Sequence, residues 1–244
     1  MVPNIFLEVV SFNMPLANQR IGVGGNFKRA TVGIFESHTL DAVYNYRFRV
    51  GQGMLGFGVQ ASVRSLEGNF QKTTATQTKE EDLAIPQMQQ DKFLFNFGAG
   101  AYYSTELFYF GVSIPRFLTS NIDFADIDKT VSREVQHFYL MGGIIFPLSE
   151  KVKIQPQTLI KYVKGAPLDA DANVNFIFSD KYIAGVTYRI GGNTVSGVGE
   201  PVDLLLAMQM SSKLLLGVSY DMTLSDLKDY TTGSIEVSLH YCFG

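Results

Sequence analysis

The sequence carries one cysteine, Cys242, so no intramolecular disulfide framework is available to staple the fold. That lone thiol falls on the polar side of the last alternating segment, where it reads as a small packing residue. Charge of either sign is nearly balanced, Lys+Arg 20 against Asp+Glu 23 for a net of -3, so there is no basic field to gather nucleic acid. No run of about eighteen or more apolar residues occurs, which excludes a helical membrane span but says nothing against spans built from strands. No segment keeps a helical period for longer than a turn or two. The opening residues Met1 to Glu8 lack a basic region, an apolar core and a small-residue cleavage site, so they are not a signal peptide. Tryptophan is absent, yet Phe 19 and Tyr 12 make the chain rich in aromatics, and Gly 23 supplies small residues suited to strand curvature.

What is present is alternation. From His137 to Leu148, residues Phe138, Leu140, Ile144 and Phe146 fall on one side and His137, Tyr139, Met141 and Gly143 on the other. After the turn Ser149 to Val152, Ile154, Pro156, Thr158, Ile160 and Tyr162 alternate with Lys153, Gln155, Gln157 and Lys161, predicting a long hairpin with one apolar and one polar face. A soluble β-sandwich would alternate too. The same period recurs over 5–15, 20–30, 40–50, 54–64, 93–103, 107–115, 168–178, 182–189, 202–210, 214–223 and 234–243, about thirteen strands in all. In the third, Leu40, Tyr44, Tyr46 and Phe48 oppose Asp41, Asn45, Arg47 and Arg49, a polar side that a doubly buried strand would not carry.

The connections alternate as well. Short ones at 16–19, 51–53, 105–106, 149–152, 179–181 and 211–213 are interleaved with mostly longer ones at 31–37, 65–91, 117–134, 164–167, 191–201 and 224–233. A membrane barrel with short periplasmic turns and longer outer loops predicts that pattern, whereas a Greek-key sandwich does not. Aromatics near the strand ends (Tyr44, Tyr46, Phe48, Tyr102, Tyr103, Tyr182, Tyr188, Tyr220) suit interfacial girdles, and the last strand closes on Tyr241-Cys242-Phe243. The expected fold class is therefore all-β: a transmembrane outer-membrane β-barrel forming a single domain over 1–244. With the last strand ending in the periplasm, an odd strand number implies that about one strand and the export signal lie upstream of Met1, giving about fourteen in the intact barrel.

The strings Leu159-Ile160-Lys161-Tyr162-Val163-Lys164-Gly165-Ala166-Pro167-Leu168 and Asp171-Ala172-Asn173-Val174-Asn175 are distinctive. So are Tyr220-Asp221-Met222-Thr223-Leu224-Ser225-Asp226-Leu227 and Asn96-Phe97-Gly98-Ala99-Gly100. Together they resemble the PorP/SprF family of Bacteroidota outer-membrane proteins over most of the chain, most strongly from His137 onward. The resemblance implies a bacterial outer-membrane component of type IX secretion and gliding. Its partners would be the periplasmic ring of the secretion machine or the C-terminal domain of a secreted adhesin, with outer-membrane lipid around it and no nucleic acid. No cofactor or metal is implied.

Candidate chemistry is sparse. His240, Ser219, Asp221 and Ser238 share the polar side of the final strands, but no nucleophile elbow or metal spacing accompanies them, and the chain reads as a non-enzyme. Arg47, Arg49, Arg64, Lys153, Lys161 and Arg189 face Asp41, Asp169, Asp171, Asp203, Asp221 and Glu236, which predicts internal ion pairing or a hydrated pore. Hence the alternative function is an outer-membrane channel for small solutes. Partner contacts are expected in three outer connections. The first is the apolar-anchored 117–134, through Phe117, Leu118, Ile122 and Phe124. The second is the turn Gly165-Ala166-Pro167, and the third carries Leu224, Asp226 and Leu227. The polar stretch 65–91 is the other long outer loop, and it and 117–134 together are the leading partner-binding surface.

Overall fold

A computed structural model describes residues 5–16, 19–69, 90–122, 133–191, 201–222 and 233–243. They form one antiparallel sheet of fourteen strands whose order follows the chain. The strands are β1 (Ile5–Leu16), β2 (Ile21–Val32), β3 (Phe35–Val50), β4 (Gly53–Gly68), β5 (Gln90–Ser104), β6 (Phe108–Ile114) and β7 (His137–Ile144). The series continues with β8 (Phe146–Pro147), β9 (Val152–Val163), β10 (Asp169–Phe178), β11 (Tyr182–Ile190), β12 (Val202–Ser211), β13 (Leu214–Met222) and β14 (Ser234–Tyr241). Thirteen of them make the continuous path, and the two-residue β8 pairs only with β9. The chain divides into two compact units, Met1–Ala101 with Ser113–His137, and Tyr102–Val112 with Phe138–Gly244.

Burial is inverted relative to a water-soluble sheet. In β3, Thr39 and Asp41 are buried while Leu40, Tyr44, Tyr46 and Phe48 are exposed. Ser62, Asn96 and Asn175 are likewise buried, and Leu94 is the buried apolar side chain among the described residues. The large apolar residues point into the surroundings, as strands do when their solvent is lipid and their neighbours' polar groups face one another.

Three expectations about connections are corrected. The segment 31–37 is not a long loop, because β2 and β3 stay paired from Ile21↔Tyr46 to Val32↔Phe35. Gly33 at φ 61 opens a two-residue turn with Ile34, the backbone sign that type II′ hairpins need at their first central position. Likewise β4 runs on to Gly68 instead of stopping at Arg64, with Phe35 opposite Gly68. The third correction is in the stretch 137–148, which is interrupted after Ile144. Ile145 N–H donates to Leu107 O at 2.6 Å, and Pro147, which has no N–H, sits opposite Lys153 in a short separate pairing.

In the second unit, β9 and β10 are joined by the turn that the Gly165-Ala166-Pro167 string predicts. Ala166 N–H donates to Val163 O at 3.1 Å, and Gly165 at φ 87 takes the third position of a type II turn. Cys242 lies beyond β14 and is exposed, so it is not a packing residue. Its thiol approaches His240 Nε2 at 3.3 Å.

Candidate functional site

The polar face of the first unit holds two clusters. In one, Asp41 accepts from Ser62 Oγ at 2.7 Å and Gln60 Nε2 at 3.2 Å, and Lys28 Nζ stands 3.2 Å from its other oxygen. The register explains this: Asn26, Asp41 and Ser62 form one cross-strand row, and Lys28, Thr39 and Arg64 the next.

The second cluster fastens the connector that follows β6. Glu134 Oε1 accepts from Arg116 at 2.6 Å and from Arg64 at 3.1 Å, and its Oε2 accepts from Asn96 Nδ2 at 3.1 Å. Asn96 uses every remaining capacity of its amide. It donates to Leu118 O at 2.8 Å and accepts from Leu118 N–H and Phe97 N–H at 2.9 Å each. The side chain thereby imitates a neighbouring backbone and holds residue 118 like one more paired strand. Phe97 O also accepts from Phe117 N–H at 2.8 Å, and a Cβ at Gly98 would collide with Pro115 backbone, so glycine permits the close approach. The returning arm closes the stem through Glu134 N–H to Ser120 O at 2.8 Å and the Asn121↔Arg133 bridge.

Of the residues expected to meet a partner, Phe117 and Leu118 therefore emerge from a clamped stem, 39% and 45% exposed. Ile122 is partly covered at the end of that stem. Gly165, Ala166 and Pro167 lie exposed in the second unit's type II turn. Phe124, Leu224, Asp226 and Leu227, as well as most of 65–91, fall outside the described residues. Sequence reasoning missed Glu134, Arg116 and Asn96 as a group, because their spacing follows no local period. An Arg and a Glu at the two ends of an otherwise apolar-anchored connector, Arg116 and Glu134, were the available signal.

The second unit's polar face carries a hydrogen-bond relay. Tyr109 OH donates to Gln157 Oε1 at 2.5 Å, Gln157 Nε2 to Asn173 Oδ1 at 2.8 Å, and Asn173 Nδ2 to Thr187 Oγ1 at 2.7 Å. Gly143 makes this possible, since a Cβ there would strike the Tyr109 ring. One row on, Arg189 bridges Asp171 at 3.2 Å and Asp203 at 3.6 Å, while Lys161 reaches Asp171 at 2.8 Å and Asp169 at 3.5 Å. Asp203 stands directly opposite Asp221. The predicted pairing of Lys161 and Arg189 with aspartates is thus present. Arg47 instead donates to Gln19 O, Lys153 reaches Asp180 at 2.5 Å, and Arg49 and Glu236 are exposed.

His240 is opposite Leu215, six pairs along from Asp221 opposite Ser234, which separates the two by about 20 Å at the rise of a strand. Asp221 is therefore out of hydrogen-bond reach of His240. No group of three or more metal-ligating side chains occurs among the described residues.

These arrangements pair polar groups with one another and position loops, a chemistry of holding. No curated protein matches the chain. The profile of the family described as type IX secretion system membrane protein PorP/SprF matches residues 4–241, nearly the whole chain, and its fold class is the membrane β-barrel that the alternation predicted. The chain belongs to the PorP/SprF family of type IX secretion system membrane proteins.

Proposed function

We propose that the protein is a non-enzymatic outer-membrane anchor of the type IX secretion and gliding machinery. In this reading it holds the C-terminal domain of a secreted surface protein, and its periplasmic side meets the ring of the machine. The observation that carries the reading is the clamped stem: Glu134, Asn96, Arg64 and Arg116 fix the base of the connector, and Phe117 and Leu118 are left exposed upon it. Apolar side chains on a backbone held by a polar cluster lose little entropy when a partner covers them.

Replacing Phe117 and Leu118 together by aspartate tests this. Surface display of the secreted protein and its co-purification with the barrel from detergent-solubilised membranes should both fall, while barrel assembly is unchanged. Undiminished display and co-purification would remove the proposal. Single-channel recording on the purified protein separates the anchor from a small-solute channel, the anchor being electrically silent.

A further inference from the structure

The first unit places the edge of the bilayer within its own strands. The apolar side of β3 is formed by Leu40, Ala42, Tyr44, Tyr46, Phe48 and Val50. Eleven residues by numbering, from Leu40 to Val50, run about 34 Å along a strand and about 26 Å across a membrane at a tilt of about 40°. That matches the apolar band of a barrel, about 25 Å tall. Yet β3 and β4 are each 16 residues long, so both overrun the band by several residues at the end away from the Gly51–Gln52 turn. In the second unit, β10 to β13 are 9 or 10 residues and do not.

The chemistry changes where the overrun begins. Phe27, Leu40 and Val63 form the last apolar row on the outward side. The next outward row is Arg29, His38 and Ser65, and the one after is Thr31, Glu36 and Glu67. These polar groups are knit together: Arg29 contacts Glu36 at 2.6 Å and Glu8 at 3.4 Å, and His38 stands 3.3 Å from Glu36. Facing hydrocarbon, an arginine at midplane depth costs about 2–4 kcal/mol in a barrel, so the row carrying Arg29, followed by the row carrying Glu36 and Glu67, does not suit a lipid-facing position. The opposite side changes in the reverse sense. Beyond Lys28, Thr39 and Arg64, the next inward row is Ala30, Ser37 and Leu66, and the one after is Val32, Phe35 and Gly68. The inward side thus carries no charge in the two rows where the outward side gains it.

We infer that the hydrocarbon ends between the row of Phe27, Leu40 and Val63 and the row of Arg29, His38 and Ser65, and that the β2–β3 hairpin with the end of β4 stands beyond it as an extramembrane sheet. Its outward side meets water and lipid headgroups through the Glu8, Arg29, Glu36 and His38 network.

The test uses single cysteines at Leu40, Val63, Glu36 and Glu67 in a Cys242→Ser background, each labelled with bimane and reconstituted in phosphatidylcholine vesicles with or without brominated acyl chains. Emission should be lost to the brominated lipid at Leu40 and Val63 and retained at Glu36 and Glu67. Equal quenching at all four sites would overturn the boundary while leaving the membrane fold intact. Quenching at none would overturn both. Should a charged-row variant fail to fold, Thr31→Cys and Phe27→Cys report the same two levels.

Discussion

Glu134 and Arg64 meet at 3.1 Å although 70 residues separate them, and Arg116 joins the same carboxylate oxygen at 2.6 Å. The Glu134 side chain is 7% exposed, whereas its two arginines can still reach water. Replacing it by Gln keeps the shape and removes the charge that both guanidinium groups share. We expect E134Q to cost about 1–3 kcal/mol in denaturant unfolding from micelles, with faster protease cleavage of the connector. Unchanged cleavage would show that the stem is held by its backbone bonds alone.

Tyr109 and Gly143 should behave as one unit. Tyr109→Phe removes the donor that starts the relay and is expected to cost about 1 kcal/mol. Gly143→Val displaces the ring and should cost more, about 1–3 kcal/mol from overpacking. In the double variant the two losses should not add, because the hydroxyl has already left Gln157. A fully additive cycle in unfolding experiments would contradict the ring contact.

Arg189 is the cation between Asp171 and Asp203, and Asp203 faces Asp221 across the strands. Arg189→Gln should destabilise by about 1–3 kcal/mol because the half-buried Asp171 and Asp203 carboxylates lose the cation they share. Adding Asp203→Asn should recover most of that loss. If the second change deepens it, Asp203 is held by groups other than Arg189.

Gly165 tests turn chemistry against partner contact. A Cβ there meets nothing within 4 Å, so the cost of Gly165→Ala is confined to a backbone at φ 87, about 1–2 kcal/mol. Thermal unfolding should register that loss while secretion of the surface protein continues. Loss of secretion at unchanged stability would move the turn into the partner surface.

Period-two alternation was enough to place the strands, since Asp41 against Leu40 and Asn173 against Val174 declare their faces residue by residue. It misled where the outward face turns polar. Around 31–37, Glu36 and His38 occupy outward positions that the template reserves for apolar residues, so a continuous hairpin looked like a loop. The break after Ile144 was hidden because Phe146 keeps the period while the pairing changes. The stem was illegible for another reason: Asn96 and Glu134 are 38 residues apart, and nothing local in either segment announces the other.

The inverted burial bears on how the chain acquires its structure. With Leu94 as the buried apolar side chain among the described residues, water offers no collapsed nucleus to form around. Because the strand order follows the chain, most pairings join consecutive hairpins, and loop-closure entropy stays small at those steps. Assembly is then paced by the entry of apolar strand faces into lipid. Before that entry those faces are adhesive, so a holdase or the bilayer itself must reach the nascent chain ahead of its own copies.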